Sequence, residues 1–132
     1  PALLGLALTG TWQGAATGFL WGGVVRIFVL NHATFSINSL CHYFGDRRFA
    51  TTDHSRNLAW LAPVTLGESW HNNHHAFPTS AAHGLRWWEL DISAMTIRGM
   101  EKLGLVWDVV RISPERQEQK AIEPVAVEEP VA

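Results

Sequence analysis

The sequence predicts an all-α chain in which membrane-embedded helices continue into a helical cap. Three observations predict it. Residues 14–30, GAATGFLWGGVVRIFVL, are predominantly apolar with Arg26 as the one charge, and 17 residues is close to the length a helix needs to cross the hydrocarbon of a bilayer. A shorter apolar stretch, Pro1 to Leu8, precedes them across a polar break. Further on, His71, His74 and His75 stand at i, i+3 and i+4, offsets that bring side chains together only on a helix.

Residues 1–9 read as the tail of one hydrophobic helix. Thr9 to Gln13 is a break containing Gly10, so the two apolar segments form a hairpin. Gly14, Gly18, Gly22 and Gly23 are small enough to let another helix approach closely. Arg26 lies near the far end, where its stem can snorkel to the interface. The second helix continues through Asn31 and His32 to His42, with polar residues at helical spacing, and Gly45 stops it.

Residues 46–66 are a connection. Arg47, Arg48 and Arg56 read as solvated side chains, with phosphate binding as the sharper alternative. Thr51 to Asn57 supplies helix-starting residue types before Leu58. A helix is expected from about Val64 to Phe77, stopped by Pro78. After a loop at 79–84, an amphipathic helix covers Trp88 to Leu103 with Gly104 as its cap. Leu105 to Val110 is a short apolar run of either type. From Ser113 onward Pro, Glu, Gln, Val and Ala dominate, a composition that buries little. The division is therefore 1–45, a transmembrane hairpin remnant and emerging helix; 46–112, a catalytic cap; and 113–132, a disordered tail.

A net charge of −2 gives no nucleic-acid footprint. Seven tryptophans against one tyrosine suit a membrane interface. Seven histidines suggest metal, since imidazole is the commonest metal ligand. Cys41 is the only cysteine, so no intrachain disulfide forms. The chain opens inside an apolar stretch without Met and without a basic leader, and is expected to be the C-terminal part of a longer protein.

His71, His74 and His75 are the leading metal ligands. His42 is the next, and Asn38, one turn before it, suits a water on the metal better than direct ligation. Glu68, three residues before His71 on the expected helix, is the candidate acceptor for a ligand's other ring nitrogen. His32, His54 and His83 stay outside the primary set. Four histidines would close a tetrahedral zinc site and leave no open position, and two metals need more ligands than this chain supplies.

These motifs resemble the C-terminal half of a membrane fatty acyl-CoA desaturase of the stearoyl-CoA, delta-9 type, especially its bacterial members. Asn38-Ser39-Leu40-Cys41-His42 resembles the family's N-S-x-x-H element. Gly67-Glu68-Ser69-Trp70-His71-Asn72-Asn73-His74-His75, followed by Phe77-Pro78, resembles its third histidine box, and Gly104-Leu105 with Trp107-Asp108 also looks familial. The resemblance spans residues 1–112. It implies four transmembrane helices under a cytosolic cap holding two Fe2+ ions, with O2 and two electrons removing two hydrogens from an unactivated acyl chain. It implies that His42, His71, His74 and His75 ligate iron, that Asn38 does so through water, and that Thr34 and Phe35 line the acyl tunnel. No catalytic residue beyond the metal centre is implied. Implied partners are a fatty acyl-CoA or acyl lipid, O2, the membrane, and a ferredoxin-like electron donor with its NAD(P)H reductase. The implied location is the bacterial cell membrane, with the cap cytoplasmic. The family's first two boxes, H-x-x-x-x-H and H-x-x-H-H, are expected in a missing N-terminal half.

Two other readings stand beside this one. A membrane fatty acid hydroxylase shares the histidine boxes and differs in inserting OH. A catalytically inactive truncated remnant would embed in the membrane without binding iron. A zinc hydrolase is weaker, because Asn72 follows His71 and H-E-x-x-H is absent.

Overall fold

The structure, a computed structural model, describes residues 1–122. Among the described residues it is helical, with three isolated bridges and no strand. It separates into two compact units, Pro1–Asn38 and the chain from Ser39 onward.

In the first unit, α1 (Ala2–Thr9) turns at Gly10 into α2 (Trp12–Phe19). Thr11 caps α2 by accepting from the Gly14 amide at 3.0 Å, which places the expected break where the polar residues stand. The glycines let the helices touch backbone to backbone. A Cβ on Gly5 would lie 2.2 Å from the Gly14 oxygen, and one on Gly18 would lie 2.8 Å from the Pro1 oxygen. Gly14, Gly18 and Gly22 are thus the small-residue stripe of a close helix pair.

Beyond Phe19 the helix widens into a π-helical stretch, Leu20–Val25, at the Gly22-Gly23 pair, and returns to α geometry as α3 (Arg26–Tyr43). Arg26 Nε donates back to the Gly22 oxygen at 3.2 Å. The whole run from Trp12 to Tyr43 is 32 residues, long and apolar enough to cross a membrane by length and composition. At about 1.5 Å per residue it reaches roughly 48 Å, against about 30 Å of hydrocarbon, so its polar end has length to spare.

The second unit begins at Ser39, in the C-terminal part of α3. The reason is local. Cys41 is fully buried with its Sγ 3.8 Å from the Ser69 oxygen, and its own carbonyl accepts from Arg56 N at 2.7 Å. Gly45 follows with φ 105, and any Cβ there would lie 2.2 Å from the Asn57 oxygen, so the chain turns hard against 56–58 only because no side chain is present.

Two expected helices are shorter than the sequence suggests. The segment Val64–Phe77 does not form one helix. Leu66 and Gly67 both have positive φ (57 and 106), which breaks the right-handed path. Asp91 Oδ1 occupies the space where a Gly67 Cβ would sit, at 2.6 Å. Only α4 (His71–Ala76) is helical, and Glu68 lies on the turn before it. Before it, Leu58–Leu61 gives no more than a 3-10 turn, Ala59–Leu61. The Trp88–Leu103 helix is trimmed to α5 (Ile92–Lys102), because Asp91 caps it by accepting from Ala94 N at 2.8 Å. Its end is a Schellman closure, Gly104 N to Glu101 O and Leu105 N to Met100 O. The run 105–110 is neither helix nor strand.

The expectation of disorder from Ser113 fails for the residues described. Ser113 caps α6 (Pro114–Lys120), with Pro114 at its first turn, and residues 123–132 lie outside the described residues. This helix is tied down by Lys120, whose Nζ donates to the Ala76 oxygen at 2.6 Å and lies 5.0 Å from the Phe77 ring. A cation at the end of α4 satisfies a terminal carbonyl and suits the helix dipole. Beneath it Phe49, Ala76, Phe77 and Ile112 form the core, with Phe49 and Phe77 edge to face. The three connection arginines are structural. Arg47 donates to Thr51, Arg48 to Gln117, and Arg56 to the Gly45 oxygen.

Candidate metal centre

Two elements far apart in sequence supply the site. His42 hangs from the last turn of α3, and α4 presents His71, His74 and His75. One ligand atom from each of His42, His71 and His75 lies within 4.8 Å of the others. The Nε2 atoms of His42 and His71 face each other at 3.2 Å. For metal–nitrogen bonds of about 2.1 Å, neighbouring donors stand about 3.0 Å apart at a right angle and about 3.4 Å at the tetrahedral angle. The spacing of the His42–His71 pair falls between these, and imidazole nitrogen is a donor that suits first-row divalent ions, iron among them.

The electrostatics suit lone-pair donation. His71 is 6% exposed. Burial, then the neighbouring imidazoles of His75, His42 and His74, press its pKa down to about 4, against a smaller opposing pull from Asp53. It is therefore neutral near pH 7. Burial and the closeness of His83 and His75 also lower His74.

The orientation of His75 comes from a residue absent from the sequence-level assignment. Asp53 Oδ2 accepts a short hydrogen bond from His75 Nδ1, fixing the tautomer that leaves Nε2 free. Burial favours the protonated carboxyl of Asp53, but hydrogen bonds from Ser55, His75 and Thr51 outweigh it and hold the group ionised, below its usual range. The only sequence signal was Asp53 in a run of helix-starting residues, and no helix starts there.

The asparagines between the histidines anchor the box. Asn72 is fully buried. Its Oδ1 accepts from the amides of Arg48 and Phe49, and its Nδ2 donates to the Phe49 oxygen. Asn73 accepts from Asn57 Nδ2 at 2.7 Å and donates to the His83 oxygen and to Glu89 Oε2, both at 2.8 Å. One asparagine ties α4 to the 48–55 loop that carries Asp53, and the other ties it to the 83–89 loop.

The remaining candidates fall as follows. His74 is not among the three converging donors; its ring centroid is 6.2 Å from that of His71, 5.6 Å from that of His75 and 4.4 Å from that of His83. Glu68 is not on the helical face of His71; its Oε2 lies 3.3 Å from His83 Nδ1. His54 lines an open cleft with His42, Tyr43 and Arg56. On α3, Asn38 Nδ2 donates to the Thr34 oxygen and Thr34 Oγ1 to the Leu30 oxygen, both at 3.0 Å. His32 Nδ1 contacts the Phe28 oxygen at 2.8 Å, and Phe35 is largely exposed.

Comparison with known proteins sets this geometry in context. A family model described as fatty acid desaturase matches residues 1–107. The chain is 54% identical over 109 residues to a hex-5-enoyl-(acyl-carrier protein) acetylenase of Moorena producens, covering 83% of this chain and 34% of that protein. It is 52% identical to a delta-9 desaturase-like 4 protein of Arabidopsis thaliana, covering 75% and 33%. It is 47% identical to an sn-1 stearoyl-lipid 9-desaturase of Synechocystis, covering 73% and 30%. The chain thus spans about a third of the length of the curated relatives it matches.

Proposed function

The chain belongs to the fatty acid desaturase family, and from that premise we propose that it is the C-terminal part of an O2-dependent fatty acyl desaturase placing a delta-9-type double bond in an acyl chain. The single observation that carries this reading is the convergence of His42, His71 and His75 donor atoms within 4.8 Å. Two irons are the implied cofactor. Bound iron, with O2 and two electrons, supplies the oxidising power to abstract hydrogen from an unactivated C–H bond.

The chain's own residues prepare that chemistry. His42, His71, His74 and His75 are the proposed ligands, with the rest of the set coming from the remainder of the full-length protein. Asn38, one turn before His42, is assigned to a metal-bound water. Asp53 keeps the Nε2 lone pair of His75 available, and Asn72 and Asn73 hold the backbone of α4 still. Thr34 and Phe35, about two turns before His42 on α3, are assigned to the acyl tunnel, whose walls exclude water from the reactive centre. The run Trp12–Tyr43 is the proposed membrane span, with the cap on the cytoplasmic side of the cell membrane. A ferredoxin-like protein with an NAD(P)H reductase is the proposed electron source.

Product analysis tests this reading. Full-length protein supplied with a donor system and a saturated C18 chain, as acyl-CoA in one arm and as acyl lipid in the other, is expected to give a cis monoene. A hydroxylated product would assign the chain to the hydroxylase alternative. Absence of both iron and turnover would identify a remnant.

A further inference from the structure

A carboxylate placed on an imidazole Nδ1 occurs twice in this cap. Asp53 serves His75 in this way, and Glu68 Oε2 stands 3.3 Å from Nδ1 of His83. In metal sites this arrangement fixes the ring and leaves the other nitrogen free for a cation. His83 is otherwise unexplained by the proposed site, and its loop is firmly built. Its amide donates to Asp91 Oδ2 at 2.7 Å, as does that of Gly84 at 2.9 Å, and its carbonyl accepts from Asn73 Nδ2 at 2.8 Å. The same Asp91 caps α5 through its other oxygen. These bonds fix the backbone, and the Glu68 carboxylate lies beside the ring, 3.3 Å from its Nδ1.

The ring lies beside His74. Their centroids are 4.4 Å apart and the planes are inclined at 45°. Two imidazoles bound at a right angle to one ion, with metal–nitrogen bonds of about 2.1 Å, have centroids about 4.6 Å apart. His74 Nδ1 is buried without a hydrogen-bond partner among the described residues. Of the imidazoles around His74, that of His83 is the nearest, with the centroids of His75 and His71 at 5.6 Å and 6.2 Å.

We propose that His83 is an additional metal-facing imidazole, which with His74 takes one divalent iron through its Nε2 while Glu68 holds the ring. This rests on the desaturase reading of the site. It adds a ligand from the loop after Phe77-Pro78, outside every histidine motif in the chain, and it gives Glu68 a partner other than the box histidines.

Iron content of the full-length protein tests it without reference to turnover. Protein loaded anaerobically with Fe(II) is measured for iron per chain by mass spectrometry, for retention against a competing chelator, and for its Mössbauer spectrum. His83→Ala is expected to lose about half of the bound iron and one of two quadrupole doublets. Glu68→Gln is expected to keep the stoichiometry and to release iron from one position about 10–100-fold more readily. His71→Ala serves as the control for the other position. If His83→Ala elutes aggregated, His83→Asn replaces it, retaining a polar group opposite Glu68 without an imidazole, and the same iron loss is expected. Full iron and an unchanged spectrum in the folded His83 variant, beside loss in His71→Ala, overturn this inference alone. A wild-type protein that binds no iron removes the inference together with the reading beneath it.

Discussion

Asp53→Asn isolates the orienting role of a single oxygen. In the native site Asp53 accepts from His75 Nδ1–H and from the Ser55 amide at 2.9 Å. In the variant, the asparagine Oδ1 can keep the Ser55 bond while its NH2 group turns toward His75. Two donors then face each other. The ring escapes this clash by moving its proton to Nε2, the nitrogen that must be unprotonated to hold a metal. Loss of such a partner typically weakens metal affinity about 10–100-fold, equivalent to roughly 1.4–2.8 kcal/mol. Packing changes little, since the two side chains have nearly the same shape. The assay is Fe(II) competition against a chelator on full-length protein, with a thermal melt of the chelator-treated form as control. The expected result is a loss within that range and a melt close to wild type. Unchanged iron affinity would refute the orienting role.

Further predictions follow from other parts of the cap and from the hairpin. Asn73→Ala strips partners from Asn57 and Glu89 in a buried setting and is expected to cost about 3 kcal/mol, read as a shift in the denaturation midpoint; a change under about 1 kcal/mol would contradict its anchoring role. Gly5→Val drives a side chain into the Gly14 carbonyl and is expected to destabilise the hairpin by about 1–3 kcal/mol in detergent, with Gly99→Val, which faces open space, as the comparison. In metal-free protein, the unfolded chain takes up a proton at His71 near its ordinary pKa of 6.5, whereas the folded chain holds this group at about 4. Stability is therefore expected to be full above pH 6.5 and to fall as pH drops toward 4, by up to about 1.4 kcal/mol per pH unit. The lowered Asp53 carboxyl adds a further loss as pH falls below the usual carboxylate range. A flat melting profile across this window would contradict the burial of a neutral His71.

Much of this molecule is legible in the residues alone, and the exceptions have local causes. The hairpin, the long emerging helix and the turn at Gly45 follow from apolar runs and glycines, because helix periodicity and glycine's special conformations are properties of short segments. His71 and His75 converge with His42 partly because an offset of four shares a helical face. The turn before α4 was not legible. Nothing within Val64–Ser69 announces that an Asp91 side chain, more than twenty positions later in the sequence, occupies the space over Gly67. Nor is the pairing of Glu68 with His83, or of Asp53 with His75, encoded in spacing, since each joins a loop or turn to a distant part of the chain. The helix at Pro114–Lys120 is held by Lys120 on the end of α4 and by Gln117 on Arg48, bonds that a composition rich in Glu and Gln does not disclose.

In the proposed centre, imidazoles from α3 and α4 hold iron together, and X-ray absorption at the iron edge of reduced full-length protein reads that ligation. The expected spectrum has a first shell of nitrogen at about 2.1 Å with the multiple-scattering signature of several imidazoles, diminished in both His42→Ala and His71→Ala. A shell without imidazole scattering, or one that is the same in wild type and both variants, would contradict it.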